Sequence, residues 1–368
     1  MPFFANVIIA ISSILLYSYM IPPLFFIPPH VQTRLAKFLN LGPGPPAALY
    51  ALGISLTANH GTVSIRYKDG SFEDVGRVKG DKAYLKLMRR LSLRYSQHPS
   101  PPPYGDLDDM WNDQLRQFWR KVRRAVGLAA SPDVAVLCRM LKKLIKLGEL
   151  VEPSPSTVIS YPALHALYYE DIEDAANYLK LRTLPGNHWH PPHEITAAYA
   201  GHGMGLCEDF NDQETCRKQG LELPLRLILL LEFTETALLL QIKHMREADD
   251  SGSHDLDIAT SFEVGNAEPS SRNSSGAVIR DLVVPLLRRE HDRSVLPPET
   301  IAVIVTGSPS RIENPDIQQL IKDAVEEVYL QADMFTSNPD FIAARGAAEL
   351  AWRALVSKAS PGALDSES

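Results

Sequence analysis

Two stretches decide the fold: Ile301-Ala-Val-Ile-Val-Thr-Gly307-Ser-Pro-Ser-Arg311 and, beyond a helical run from Pro315, Asn338-Pro-Asp-Phe-Ile-Ala-Ala-Arg-Gly346-Ala-Ala. The first is an apolar, β-branched run that breaks at Thr-Gly-Ser, so it reads as a buried strand feeding a helix through a tight turn. Such a turn presents backbone N–H groups and a helix N-terminus to which a ligand can come close. The second reads as a turn followed by a helix of small residues, able to pack its backbone tightly against a neighbour.

Outward from these stretches the chain alternates strands with helices. Tyr50 to Ile54 and Gly61 to Tyr67 read as strands around the polar turn Thr57-Ala-Asn-His-Gly, and Lys68-Asp-Gly70 supplies the next hairpin turn. Helical patterns follow at Lys82 to Tyr95, Asp108 to Val126 and Pro132 to Gly148, the first two separated by Gln97-His-Pro-Ser-Pro-Pro-Pro103. Val158 to Ala163 is a short strand with a helix from Leu164 to Leu179 behind it, and Glu194 to Tyr199 begins another helix. Leu225 to Glu232 and Ala237 to Lys243 form an apolar hairpin, Asp249 to Gly276 reads as a polar loop, and Val278 to Arg289 as a helix. This order suggests a duplicated α/β lobe, although no repeat of high identity is visible.

The 368 residues suffice for two lobes, and the balance of apolar and charged residues is that of an ordinary globular protein. A net charge of −7 argues against a nucleic-acid binder. The charge is nevertheless uneven: Arg77 to Lys146 holds sixteen Lys and Arg against six Asp and Glu. The simplest reading of this basic region is solvated helix faces; attraction to anionic headgroups becomes relevant if the chain is tethered to a bilayer.

The N-terminal sequence suggests a tether. Phe3 to Ile21 is apolar, stops at Pro22-Pro23, and has no Lys or Arg before Arg34, which fits an uncleaved membrane helix better than a signal peptide. Arg34 and Lys37 would hold the body on the cytosolic side. Against that, Cys207 and Cys216 bracket a short polar loop as a disulfide would, and Asn273-Ser-Ser275 is a glycosylation acceptor. The expectation is a single-pass membrane protein of the secretory pathway with a lumenal or extracellular body.

The two opening stretches resemble the adenosine-binding turn and closing hinge helix of the 70-kDa heat-shock protein family, in the actin-like ATPase superfamily, and the resemblance covers nearly everything from Ala51 to Ala354, at low identity except in the final third. It implies a two-lobed actin-like ATPase (ribonuclease H-like) α/β fold with a shortened second lobe, divided into an anchor (1–30), a linker (31–48), lobe I (49–200), lobe II (201–358) and a disordered tail (359–368). Gly53-Ile-Ser55-Leu-Thr57-Ala-Asn59 resembles the family's first phosphate turn, Gly-Ile-Asp-Leu-Gly-Thr-Thr, with Ser55 at the metal-organising Asp and Thr57 at a Gly. Val158-Ile-Ser-Tyr-Pro162-Ala163 resembles Val-Ile-Thr-Val-Pro-Ala, and Glu194-Ile-Thr-Ala-Ala198 resembles Glu-Pro-Thr-Ala-Ala. The second phosphate turn, Asp-Leu-Gly-Gly-Gly-Thr in the family, corresponds to Glu232-Phe-Thr234-Glu235-Thr236-Ala237, in which the glycines are gone. Gly307, Ser308 and Arg311 match Gly-Ser-Thr-Arg.

The resemblance therefore implies an ATP site at Gly53, Ser55, Thr57, Asn59, Glu194, Glu232, Thr234, Gly307, Ser308 and Arg311, its departures imply weak binding at most, and the expected function is a membrane-anchored pseudo-ATPase acting as a scaffold or regulator with an unidentified protein partner. Thr57, Thr234, Glu235 and Thr236 are expected to fill the space where phosphate would meet backbone, and the loss of Asp from the first turn and of three Gly from the second argues against efficient hydrolysis, because phosphoryl transfer needs metal positioning and a backbone cradle. The alternative is an active chaperone-like ATPase with remodelled phosphate turns; a sugar or metabolite kinase is disfavoured because no Asp stands at a base position. Two further clusters read as structural. His188, His190 and His193 belong to a Pro-rich loop with no added Cys or Asp ligand, and Trp111, Leu115, Phe118 and Val122 form a helix stripe expected in the core.

Overall fold

The computed structural model describes residues 50–100, 102, 104–147, 156–183, 190–248, 257–262, 272–294 and 300–357. The expected anchor, linker and tail lie outside the described residues. In chain order, strands β1 (Tyr50–Leu56), β2 (His60–Tyr67) and β3 (Phe72–Lys79) precede helices α1 (Lys82–Leu91), α2 (Leu107–Asn112), α3 (Gln114–Ala125) and α4 (Pro132–Leu147). Strand β4 (Thr157–Ser160) leads to α5 (Tyr169–Tyr178), α6 (Glu194–Gly201) and α7 (Gln213–Glu222). The second half runs β5 (Arg226–Phe233), β6 (Leu238–Met245), β7 (Asp257–Ser261), α8 (Arg272–Arg293), β8 (Thr300–Gly307), α9 (Pro309–Ile312), α10 (Pro315–Glu326), β9 (Gln331–Phe335) and α11 (Ile342–Ser357).

The strands make two sheets, β3-β2-β1-β4 and β7-β6-β5-β8-β9. In each, an antiparallel meander is followed by a strand that returns parallel to the first: β4 beside β1, and β8 beside β5. The duplicated order is therefore present. The second half has the simpler crossover, α8 alone among the described residues where the first half has α1 to α4, yet its sheet carries one more strand.

Side-chain alternation places the layers. Ile54 and Leu56 of β1 face a core shared with Tyr84, Leu87, Leu137 and Leu141 of α1 and α4. Leu229, Leu231, Val303 and Val305 face a second core with Ile279, Val283, Leu287 and Ile321 of α8 and α10. The opposite faces of both sheets, Ala51, Val158, Ile228, Leu230, Ala302 and Ile304, close on a central layer formed by α6 and α11. Here the backbones nearly touch. A Cβ at Gly53 would overlap the Ala344 carbonyl and the Ala348 backbone, one at Gly346 would overlap the Ala197 carbonyl, and one at Gly201 the Ile342 carbonyl. Gly53, expected at a nucleotide site, instead serves this helix-on-strand contact.

Several expectations are corrected. The polar stretch before Val278 contributes strand β7 and the first turns of α8; the Asn273 triplet falls in that helical segment. Strand β9 and helix α7, which spans Cys216, were not read from the sequence. The single helix expected from Asp108 to Val126 breaks at Asp113, whose buried carboxylate takes Arg116.

The aromatic stripe is the largest departure. Trp111, Leu115 and Phe118 are 66%, 68% and 54% exposed, Val122 is only partly covered, and the one buried residue of α3 is Arg120. The helix docks through its polar face. Arg116 pairs with Glu170, Arg120 with Asp171 (2.7 Å) and Asp174 (2.6 Å), and Arg124 with Asp174 (2.9 Å). Burial pushes the Asp171 carboxyl up against the pull of Arg120, the cation it contacts.

Two substitutions test these contacts. Removing the partner of a buried charge costs about 3–5 kcal/mol, so Arg120→Met is expected to lower urea-unfolding stability by that order, whereas exposed Lys121→Ala changes it by less than about 0.5 kcal/mol. Gly346→Ala, which meets backbone rather than a movable side chain, is expected to cost about 3 kcal/mol, read in the same unfolding series.

Candidate functional site

The alternation that puts Ile54 and Leu231 in outer cores turns Ser55, Glu232 and Thr306 inward, at the end of the central layer where the β1–β2 and β5–β6 turns meet. Both turns close in the same way. Thr57 N donates to His60 O (2.9 Å) and His60 N donates to Thr57 Oγ1 (3.1 Å). Thr234 N donates to Ala237 O (2.9 Å) and Ala237 N to Thr234 Oγ1 (3.1 Å). The two threonine hydroxyls therefore fold back into their own turns and do not fill the space between them, contrary to expectation; glutamates do. Thr236 Oγ1 is buried with no partner among the described residues.

Ala58 N, which the first turn does not use, donates to Glu232 Oε1 at 2.6 Å. Asn59 Nδ2 donates to Glu235 Oε2. Arg77 of β3 bridges the remaining groups: Nη2 donates to Glu235 Oε1 (3.3 Å) and Ser308 Oγ (3.4 Å), and Nη1 to Asp340 Oδ2 (3.1 Å). Burial opposes the charge on Glu235, but its own backbone N–H, Ser308, Asn59 and Arg77 hold the carboxyl down to about 2. His60 lies against this cluster, Nε2 3.4 Å from Asp340 Oδ1, and burial lowers its pKa despite that carboxylate, which keeps it neutral.

Deeper in, Glu194 begins α6 and Glu232 nears the end of β5, both wholly buried. Thr306 Oγ1 donates to Glu194 Oε1 at 2.7 Å. The pair acts on itself: burial, then the facing Glu194 carboxyl, raises Glu232 well above the ordinary range, and burial raises Glu194. Two buried carboxyls side by side cannot both ionise cheaply, so Glu232 keeps a proton and donates it towards Glu194. Beside them, Ser55, Thr62 and Ser160 are register neighbours across β2, β1 and β4, with buried hydroxyls that have no partner among the described residues.

The positions expected on the adenosine side are also engaged in contacts of their own. Gly307, at φ 111°, donates its N–H to Pro339 O (3.0 Å), and Ser308 N donates to Phe233 O (2.9 Å). A Cβ at Gly307 would overlap Phe233 O, so this glycine is required by the turn itself. Arg311 stacks over the Phe233 ring, 5.7 Å from its centroid. The structure thus gathers Ser55, Thr57, Asn59, Glu194, Glu232, Thr234, Gly307 and Ser308 at one place, joined by Arg77, Glu235 and Asp340. Arg77 was not picked from the sequence, because nothing in its local context sets it apart from other charged residues; Asp340 lies in the Asn-Pro-Asp turn quoted above but was given no role at the site.

An ATP·Mg²⁺ group does not fit these residues as they stand. The N–H groups of the first turn are taken by the turn and by Glu232, Ser55 brings a neutral hydroxyl where a charged metal ligand would be needed, and Glu232 holds its proton. Among the described residues no group of His, Cys, Asp and Glu could hold a metal. His190 pairs with Glu173 (3.1 Å), burial pushes His193 down to about 4, and His188 lies outside the described residues. Cys207 and Cys216 are bonded, and Cys138 is buried with its thiol raised to about 11 by burial.

No protein-family model matches the chain, and no curated protein matches it. Among solved structures it is similar to component A of the (R)-2-hydroxyglutaryl-CoA dehydratase of Acidaminococcus fermentans, at 8% identity and TM-score 0.37, covering 83% of this chain and 98% of that one. It is also similar to the activator of the 2-hydroxyisocaproyl-CoA dehydratase of Clostridium difficile with bound ADPNP, at 9% identity and TM-score 0.38, covering 84% and 97%. At such identity and score neither likeness assigns a role to any residue here.

A raised carboxyl contributes stability that is fully present below its unfolded value, near 4.5, and lost as pH rises through the folded value. Glu232→Gln keeps an acceptor for Ala58 N and a donor for Glu194 but has no proton to lose. Denaturant melts are expected to show the variant matching the wild type near pH 4.5 and exceeding it above neutrality. A wild type that gains on the variant as pH rises would mean that Glu232 is ionised in the native state.

Proposed function

We propose that this chain is a non-hydrolysing relative of the actin-like ATPases, with motifs that resemble those of the heat-shock-70 family, that works as a membrane-anchored scaffold or regulatory protein. The duplicated strand order and the meeting of two hairpin turns over a central helix pair support the architectural part. The observation that carries the functional part is the hydrogen bond from Ala58 N to Glu232 Oε1, 2.6 Å long between residues 174 apart: the chain's own carboxyl takes the turn amide that a phosphate would need. Phosphoryl transfer is almost wholly positioning and electrostatic stabilisation, so a site that spends its donors internally has little left to catalyse with.

The anchoring part rests on the apolar run Phe3 to Ile21; among the described residues no helix is long and apolar enough to cross a membrane. A lumenal or extracellular body is supported by the bonded Cys207–Cys216 pair, since such a bond persists in oxidising compartments. Any nucleotide would bind weakly, after the two turns had separated.

Purified protein with ATP and magnesium is expected to show no hydrolysis above a heat-treated control and no rise in melting temperature. The melt is decisive because a ligand at about a hundred times its Kd adds about 2.7 kcal/mol to native stability. Magnesium-dependent turnover that disappears in Glu194→Ala or Glu232→Ala would replace this reading with the chaperone-like ATPase.

A further inference from the structure

The two sulfurs of the Cys207–Cys216 bond sit in unlike surroundings. Cys207 is buried, and its neighbours Leu206 and Phe210 pack against the central layer. Cys216 is half-buried on α7, a helix none of whose residues belongs to the three cores. Among the ties that hold α7 besides the bond, Gln219 Oε1 accepts from Glu208 N (2.9 Å) and Leu221 O accepts from Arg246 Nη1 (3.2 Å). One sulfur is thus fixed by the body of the protein, and the other rides on a lightly attached helix.

Arg353 of α11 stands against the fixed sulfur. Its Nη1 donates to Cys207 O at 2.6 Å and lies 3.6 Å from Cys207 Sγ. Its Nε donates to Glu349 Oε1 (2.7 Å), and the guanidinium stacks on Phe210, 4.6 Å from the ring centroid. None of the contacts with Glu349, Phe210 and Cys207 O uses the bond between the sulfurs. Glu349 does not cancel the charge, because its other oxygen takes Arg66 at 2.7 Å, so two guanidiniums share one carboxylate and one positive charge is left over. Glu208 and Asp209, next in the chain, are exposed, where solvent screens them. A fixed cation favours thiolate over thiol, and in exchange the sulfur that makes the more stable thiolate is the one that leaves faster.

We propose that Cys207–Cys216 is a thiol–disulfide exchange site, in which an external thiolate attacks Cys216 Sγ and Cys207 leaves as a thiolate held by Arg353. The bond between the two protein sulfurs breaks, its electron pair stays on Cys207 Sγ, and a mixed disulfide forms on Cys216. A second external thiolate then attacks the external sulfur of that mixed disulfide; Cys216 leaves and takes a proton from water, and the two external thiols end oxidised as their own disulfide. Cys138, buried and with its thiol raised to about 11 by burial, supplies no competing thiolate. The proposal rests on neither the phosphate-site reading nor the membrane anchor.

The test incubates the full chain with reduced glutathione or with dithiothreitol, quenches with an alkylating reagent and maps the peptides. Glutathione is expected on Cys216 and the alkyl group on Cys207; opening by dithiothreitol alone would assign the site to dithiols rather than monothiols. Arg353→Gln, which leaves Glu349 paired with Arg66, is expected to slow opening by at least about fivefold, and Arg353→Lys to restore most of the rate. With Cys216→Ser, the thiolate absorbance of Cys207 is expected to rise with a midpoint below the ordinary thiol value of about 8.5, and adding Arg353→Gln is expected to move that midpoint up. A purely structural bond would give neither the Arg353 dependence nor the lowered midpoint. Glutathione on Cys207, a bond that neither thiol opens in the folded protein, or a rate and midpoint unchanged in Arg353→Gln would overturn the proposal.

Discussion

Everything in this fold hangs on the approach of α11 to β1 and α6, close enough that three positions admit no side chain. Gly53, Gly201 and Gly346 are where backbone meets backbone, and the central layer they create is shared by both sheets. The same helix fixes the residues that precede it. Asn338, in the left-handed region at φ 49°, and Arg345 both bond Asp74 of β3, whose carboxyl these contacts hold low against the opposing effect of burial. Pro339 O then takes the Gly307 amide, and Asp340 reaches Arg77 and His60. Helix packing thus delivers the groups that close the site.

The closure is electrostatically coherent at two depths. At the rim, ionised Glu235 and Asp340 gather around Arg77, where partial exposure keeps charge tolerable. Inside, where charge would be costly, Glu232 keeps its proton beside Glu194 and the neighbours are hydroxyls and amides. Two carboxylates of one turn, facing an open cleft, would repel one another. Glu232 and Glu235 instead each find a donor on the facing turn, Ala58 N and Asn59 Nδ2, so the side chains of the second turn supply the bonds that join it to the first.

Most of the architecture was legible because periodicity and turn chemistry are local. The hairpin at Thr57 to Gly61, the buried run at Ile301 and the small-residue helix at Gly346 each carry their own signal. Strand β9 did not, since Gln331-Ala-Asp-Met-Phe is half polar at a sheet edge, and β7 was hidden in a polar stretch. The candidate site residues could be gathered by motif, but not their bonding, since Ala58 and Glu232 lie 174 positions apart. The stripe on α3 misled for a physical reason: spacing shows that a helix is two-faced, and only tertiary contacts show which face is turned inward. Here an arginine row won that competition because three acidic residues of α5 were waiting for it.

In the proposed reading, the Glu232 carboxyl occupies the turn amide of Ala58 that a phosphate would otherwise take. Amide hydrogen exchange at Ala58, followed with and without ATP and magnesium, tests it most directly. The account predicts an Ala58 amide that is strongly protected in the free protein and unchanged by nucleotide. Fast exchange in the free protein that slows when ATP and magnesium are added would contradict it.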